Sequence, residues 1–237
     1  MINTVIFDLD DTLYKELDFV CGAFKEVCKY LAYKYNINEE DLYEDMIYIL
    51  NKFGRGKTFN MLCEKHNLKE NIKNLVSIYR EAKPSIRLYE DAQWILNYLK
   101  KNKINTGIIT DGKASVQWNK INCLNLIGKV DKIIVSDDFG LDFWKPHEFT
   151  YREMLKYFNC NPDDCIYIGD NPNKDFIGAK KVGVHTVRVI REVGDHMKTF
   201  LDKEYEADVI IKDLRELYIS QWYSYGQFYI KALSETN

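Results

Sequence analysis

The feature that most constrains this chain is the run VIFDLDDT at residues 5–12. There an apolar stretch delivers two aspartates, Asp8 and Asp10, with Thr12 two positions further on. Val5, Ile6 and Phe7 form an unbroken β-branched and aromatic run, the pattern of a strand covered on both faces and hence of a parallel sheet. An unpaired buried carboxylate is costly, so charge placed directly after such a strand marks either a site or a solvated turn behind an edge strand. Side chains alternate along a strand, and Asp8 and Asp10 therefore leave its end on the same side. Two carboxylates at one point can hold a divalent cation, or divide the work of nucleophile and general acid–base.

The same punctuation recurs further along the chain. NTGIITDG at 105–112 ends an apolar run in Thr110, Asp111 and Gly112; KIIVSD at 132–137 precedes Lys145 in GLDFWKPHEF; CIYIGDNPNKD at 165–175 ends in Asp170, with Asp175 five residues later. From residue 88 the periodicity alternates. It predicts helices at 91–101, 115–122, 148–158 and 176–181, strands at 107–110, 133–136, 166–169, 186–190 and 209–211, and a terminal helix from Leu214. Strands alternating with helices imply right-handed βαβ units and a parallel sheet. Sites in such sheets form at the carboxyl ends of the strands, where strand order reverses. Asp8, Asp10, Thr110 and Asp170 are all expected along that edge. Residues 15–84 read differently. Helical spacing (Phe19, Val20, Ala23, Phe24, Val27, Leu31) covers 17–35 and continues at 41–53, 58–66 and 71–81, with no strand run before Ile104. Asn38 suits an N-cap ahead of Glu39, Glu40 and Asp41, and Pro84 ends the helical stretch.

Taken in order, the four strings resemble the motifs of the haloacid dehalogenase-like hydrolase superfamily: an Asp-x-Asp-x-Thr/Val loop, a Ser/Thr closing the second strand, a distant Lys, and an acidic Gly-Asp-x-x-x-x-Asp loop. The resemblance implies a Rossmann-like parallel sheet with helices on both faces, built from residues 1–14 and 85–237, and a small all-helical cap at 15–84. It implies Asp8 as the nucleophile that forms an aspartyl-phosphate, and Asp10 as general acid and then base. Thr110, with the backbone N–H groups of Asp111 and Gly112, would bind phosphoryl oxygens, and Lys145 would supply a cation to them. Mg²⁺ would be held by Asp8, the backbone carbonyl of Asp10 and Asp170, with Asp175 binding a metal water or orienting Lys145. Each assignment has a plainer reading: Thr110 as a strand end, Lys145 as a solvated lysine, Asp175 as a helix N-cap. One position departs from the pattern. Asp111 stands where the family more often has Asn, and an inward-pointing carboxylate there would repel a phosphate.

The resemblance points to a Mg²⁺-dependent phosphatase acting on a small phosphorylated metabolite. A sugar phosphomutase shares the same core residues, a haloacid dehalogenase lacks the second carboxylate that Asp10 supplies, and a non-catalytic binding protein of the same fold is the third alternative. A net charge of −3 gives no electrostatic case for nucleic acid or an anionic membrane surface. No apolar run is long enough to span a bilayer, and the first apolar run, interrupted by Asp8 and Asp10, is not expected to act as a secretory signal. The six cysteines form no C-x-x-C pair and read as reduced cytoplasmic thiols, while the four histidines make no zinc pattern. The segment FGRGKT at 53–58 mimics the end of a phosphate-binding P-loop. No strand precedes it and its first glycine is missing, so it reads as a turn whose Arg55 and Lys57 either face solvent or recruit an anionic part of the substrate. The aromatic C-terminal stretch (Tyr218, Trp222, Tyr223, Tyr225, Phe228, Tyr229) is expected to pack on the core or to mediate self-association, giving a monomer or homodimer.

Overall fold

A computed structural model describes residues 2–217; the aromatic stretch from Tyr218 onward lies outside the described residues. Six strands form one parallel sheet: β1 (Thr4–Phe7), β2 (Asn105–Thr110), β3 (Lys132–Val135), β4 (Cys165–Gly169), β5 (His185–Val189) and β6 (Val209–Ile211). Their order across the sheet is β3-β2-β1-β4-β5-β6. The chain thus builds outward from β1 in one direction and then returns to its other side with β4. The reversal falls between β1 and β4, where a cleft opens at the carboxyl ends because the two flanking connections leave on opposite faces.

Strand alternation sorts the core into two layers. Val5 and Phe7 of β1 join Ile108, Ile166 and Ile168 under helices α5 (Glu90–Lys101) and α6 (Ala114–Cys123). Ile6, Ile109, Ile134 and Tyr167 face the other way, against α7 (Phe149–Phe158) and α8 (Phe176–Lys181). This two-sided burial is why β1 and β4 read as continuous apolar runs rather than alternating ones.

Residues 16–81 form four helices, α1 (Glu16–Tyr35), α2 (Glu39–Phe53), α3 (Thr58–Lys65) and α4 (Ile72–Glu81). They enclose an apolar cluster of their own that includes Val20, Phe24, Val27, Leu31, Met46 and Leu62. Phe19 and Ala23, on an adjacent stripe of α1, pack instead into the sheet-side cluster. α1 therefore joins the two bodies. Asn38 caps α2, its side chain accepting from the N–H groups of Glu40 (2.7 Å) and Asp41 (3.2 Å).

The larger departures from the sequence reading lie at element ends, beside shifts of one or two residues such as β2 beginning at Asn105 and β5 ending at Val189. β3 stops at Val135, and the chain continues as two 3-10 turns, Ser136–Phe139 and Leu141–Phe143, before α7. Glu148 precedes α7 rather than opening it. Leu214–Leu217 is a 3-10 turn, held by Leu214 N–H on the Asp91 carboxylate (2.7 Å), where the sequence suggests the first turn of a helix. Among the described residues no helix is long and apolar enough to cross a membrane.

Candidate active site

β1 and β4 end side by side, so Asp8 and Asp170 emerge at the switch point of the sheet. The turn after Asp170 brings Asp175 back to them, and carboxylate oxygens of Asp8, Asp170 and Asp175 lie within 4.8 Å of one another, all three residues buried. The loop after β3 delivers Lys145 from the opposite flank. Its Nζ donates to Asp8 Oδ1 (2.5 Å), Asp175 Oδ1 (2.7 Å) and the Tyr167 hydroxyl (2.9 Å). Lys145 is thus no surface lysine. Asp175 occupies the N-cap position of α8, yet its side chain makes no capping bond. It turns inward, accepting from the Asn171 N–H (2.9 Å) and the Tyr167 hydroxyl as well as from Lys145. Gly169 permits this, since a Cβ at that position would stand 2.4 Å from Asp175 Oδ2.

Asp10 leaves the same loop but belongs to a second network. Its carboxylate accepts from the Tyr14 hydroxyl (2.6 Å), Gln117 Nε2 (2.9 Å) and Lys120 Nζ (2.7 Å). It is not one of the three clustered carboxylates. Lys120 also meets Glu16 (3.1 Å), and Glu16 meets the Arg55 guanidinium (2.7 Å), which in turn reaches Asp195 (3.1 Å). An unbroken chain of charges therefore runs from Asp10 to the helical segment and back to the loop after β5. Arg55 is engaged at both ends of its guanidinium. Lys57 is exposed and has no ion pair among the described residues.

Thr110 is the last residue of β2, and its Oγ1 accepts from Gln117 (2.5 Å), which ties it to Asp10 through one amide. Gly112 follows with φ +134°, a conformation that leaves the backbone open at the turn. Asp111 is buried. Its Oδ1 accepts the Lys145 N–H (3.2 Å), and its Oδ2 lies 3.8 Å from Lys174 Nζ.

The electrostatics separate the two networks. Burial pushes the Asp8 carboxyl up to about 7, against the pull of Lys145. Burial also holds Asp170 well above the usual carboxylate range, followed by the like charges of Asp175 and Asp8. For Asp175 burial acts in the same direction, but Lys145 and Lys174 outweigh it and keep the group below its ordinary value. Asp10 behaves likewise, with Lys120 outweighing burial. The three-carboxylate cluster is therefore short of positive charge even with Lys145 inside it, and no hydrogen bond to the Asp170 carboxylate is found among the described residues, although its backbone carbonyl accepts from Arg188 Nε (3.1 Å). An all-oxygen donor set with excess negative charge fits a hard divalent cation such as Mg²⁺.

Gln117, Lys120, Tyr14, Tyr167, Glu16 and Lys174 complete these networks and escaped sequence reasoning. One signal was available for two of them. Gln117 and Lys120 lie three apart on α6, immediately after the Thr110–Gly112 turn, and so share a helix face with that turn. Tyr167 alternates with Ile166 and Ile168, which places it on the Lys145 side of β4, but only packing shows that its hydroxyl meets Lys145.

A family model described as haloacid dehalogenase-like hydrolase matches residues 5–189. The glyceraldehyde 3-phosphate phosphatase of Methanocaldococcus jannaschii is 32% identical over 227 residues, covering 92% of this chain and 96% of that one. The protein of the same name from Pyrococcus furiosus is 29% identical over 223 residues, 91% of each chain. Among solved structures, a HAD phosphatase from Thermococcus onnurineus superposes with a TM-score of 0.58 at 24% identity, over 91% of this chain and 96% of that one, a likeness of fold.

Proposed function

This chain belongs to the haloacid dehalogenase-like hydrolases, as a phosphatase among them, and we propose that it cleaves the phosphate ester of a small metabolite, with Mg²⁺, through an aspartyl-phosphate on Asp8. The observation that carries the reading is the convergence of Asp8, Asp170 and Asp175 around Lys145 at the switch point of the sheet. Asp8, the backbone carbonyl of Asp10 and Asp170 would hold the cation, with Asp175 facing the same cluster. When bound, Mg²⁺ screens the charge between a carboxylate and a phosphoryl dianion.

The residues divide the chemistry as follows. The free oxygen of Asp8 attacks phosphorus while Lys145 fixes the other and lines the carboxylate up for attack. Thr110 and the N–H groups of Asp111 and Gly112 bind phosphoryl oxygens. Asp10 protonates the leaving oxygen and then takes a proton from the water that opens the intermediate. Lys120 holds Asp10 ionised in this structure, the form needed for the second step. A phosphoryl dianion arriving nearby raises the Asp10 pKa again, because like charges disfavour the ionised form, and so prepares it to act as an acid.

In this reading residues 15–84 are the cap that shields the acyl phosphate from stray water. A close-fitting cap favours a substrate of few carbons, and the names of the long-range relatives point to a three-carbon aldehyde phosphate. Lys57 is the cation of its loop left to meet a second anionic group, since Arg55 is tied to Glu16 and Asp195. Six free cysteines accord with a reducing, cytoplasmic setting.

The test is phosphate release from p-nitrophenyl phosphate and from glyceraldehyde 3-phosphate, with Mg²⁺ or with EDTA. Release is expected with Mg²⁺, to vanish with EDTA, and to be abolished by Asp8→Asn in a protein that still melts cooperatively. Asp8→Asn retaining more than a few per cent of activity would rule out the covalent route, and no release under either condition would remove the phosphatase reading.

A further inference from the structure

The strand β5 reads His-Thr-Val-Arg-Val and so sets an arginine between two apolar, β-branched residues. Val187 and Val189 pack into the layer under α5 and α6, and strand alternation turns Arg188 to the opposite face. Arg188 is fully buried, and a buried guanidinium is costly unless its nitrogens find acceptors. All three do. Nη1 donates to both carboxylate oxygens of Glu206 (3.1 and 3.0 Å), Nη2 to the His196 carbonyl (2.7 Å) and Nε to the Asp170 carbonyl (3.1 Å). The register of the sheet pairs Arg188 with Gly169, the residue before Asp170, which is why the fork reaches that carbonyl.

The Asp170 carboxylate lies within 4.8 Å of those of Asp8 and Asp175 and has no hydrogen bond of its own among the described residues. Like charges at that separation push it away from the cluster, so its main chain must be held if the carboxylate is to stay in place before a cation arrives. Glu206 and His196 belong to the excursion between β5 and β6, and Arg188 therefore braces the Asp170 main chain against a separate part of the core. We propose that Arg188 is a positioning residue for Asp170, keeping its carboxylate gathered with Asp8 so that the cation meets a preformed site; this rests on the reading of Asp170 as a Mg²⁺ ligand in the phosphatase above. An apolar side chain of similar volume would fill the same space without the desolvation cost of a guanidinium, so what the arginine supplies is the direction of its bonds. A lysine would keep the charge beside Glu206, but its donors sit on one nitrogen and cannot span partners placed around a planar fork.

The experiment titrates Mg²⁺ into the metal-free protein by calorimetry, alongside thermal melts and the Mg²⁺ dependence of p-nitrophenyl phosphate hydrolysis. Arg188→Met and Arg188→Lys are both expected to weaken Mg²⁺ binding on the order of 10- to 100-fold, the scale of losing a partner that orients a metal ligand. Arg188→Lys should keep the higher Tm of the two, because it retains the ion pair with Glu206. At saturating Mg²⁺ both should regain kcat and KM within about threefold of wild type, since the chemistry beyond metal binding is untouched. Val187→Ala, on the same strand but facing the other layer, is the control for loosening of the fold: it should lower Tm and leave Mg²⁺ affinity at the wild-type value. Wild-type Mg²⁺ affinity in either Arg188 variant, or an equal loss in Val187→Ala, overturns the proposal. Should Arg188→Met fail to fold, Arg188→Lys decides alone. The titration needs no turnover, so a wild type that binds Mg²⁺ but releases no phosphate defeats the phosphatase reading while the Mg²⁺ affinities still judge Arg188.

Discussion

With the proposed Mg²⁺ site, the crowded carboxylates at the switch point should make stability depend on pH and on the cation in a specific way. Burial lifts Asp8 from 3.8 to about 7. At about 1.4 kcal/mol per pH unit, that rise is worth ~4 kcal/mol. Because the folded-state pKa is raised, the folded protein keeps a proton that the unfolded chain has released. The metal-free protein therefore loses this stability progressively as pH climbs from about 4 to about 7. Mg²⁺ binding to the ionised cluster, as proposed above, is expected to offset the loss. At a hundredfold excess over its dissociation constant it stabilises by ~2.7 kcal/mol, which for a chain of 237 residues raises Tm by roughly 5–10 °C. At about pH 5 the cation must displace protons, and the gain shrinks. Thermal melts at about pH 5 and about pH 7.5, with EDTA or Mg²⁺, test this directly. Asp170→Asn supplies the internal control. It removes one of the like charges, so the metal-free Tm at neutral pH should rise while the Mg²⁺ effect disappears. Equal Tm with and without Mg²⁺ at neutral pH, or an undiminished Mg²⁺ effect in Asp170→Asn, would refute the reasoning.

Two further outcomes follow from the same geometry. Lys120→Met should lower kcat on the order of 10²-fold, the scale of a displaced general acid–base. It should also destabilise by ~2–4 kcal/mol, since it leaves Asp10 and Glu16 half-buried without their shared cation; steady-state kinetics and urea melts measure both. Gly169→Ala places a methyl group 2.4 Å from Asp175 Oδ2 and should push that carboxylate off Lys145. The expected cost is ~1–3 kcal/mol, with most activity lost, whereas a variant of wild-type kinetics and stability would show that Asp175 needs no such fit.

Much of this molecule is legible in the sequence because its decisive signals are local. An apolar run followed at once by charge marks a strand end whatever surrounds it, so β1, β2 and β4 and the residues Asp8, Asp10, Thr110 and Asp170 could be read one segment at a time. Helical spacing and the Asn38 cap likewise depend on neighbours a few residues away. What the tertiary structure decided is everything that depends on which distant elements become neighbours. Strand order placed β1 against β4 and so brought Asp8 beside Asp170 and Asp175. Packing of α6 against the first loop put Lys120 on Asp10, 110 positions away. Asp175 carries the sequence signature of a helix cap, yet a buried lysine offers its carboxylate a stronger partner than the backbone N–H groups of a short helix. Arg55 and Lys57 are two residues apart and look equivalent on paper. One lies where Glu16 and Asp195 can reach it and the other does not, because charges pair by position in space and the chain alone does not specify that position.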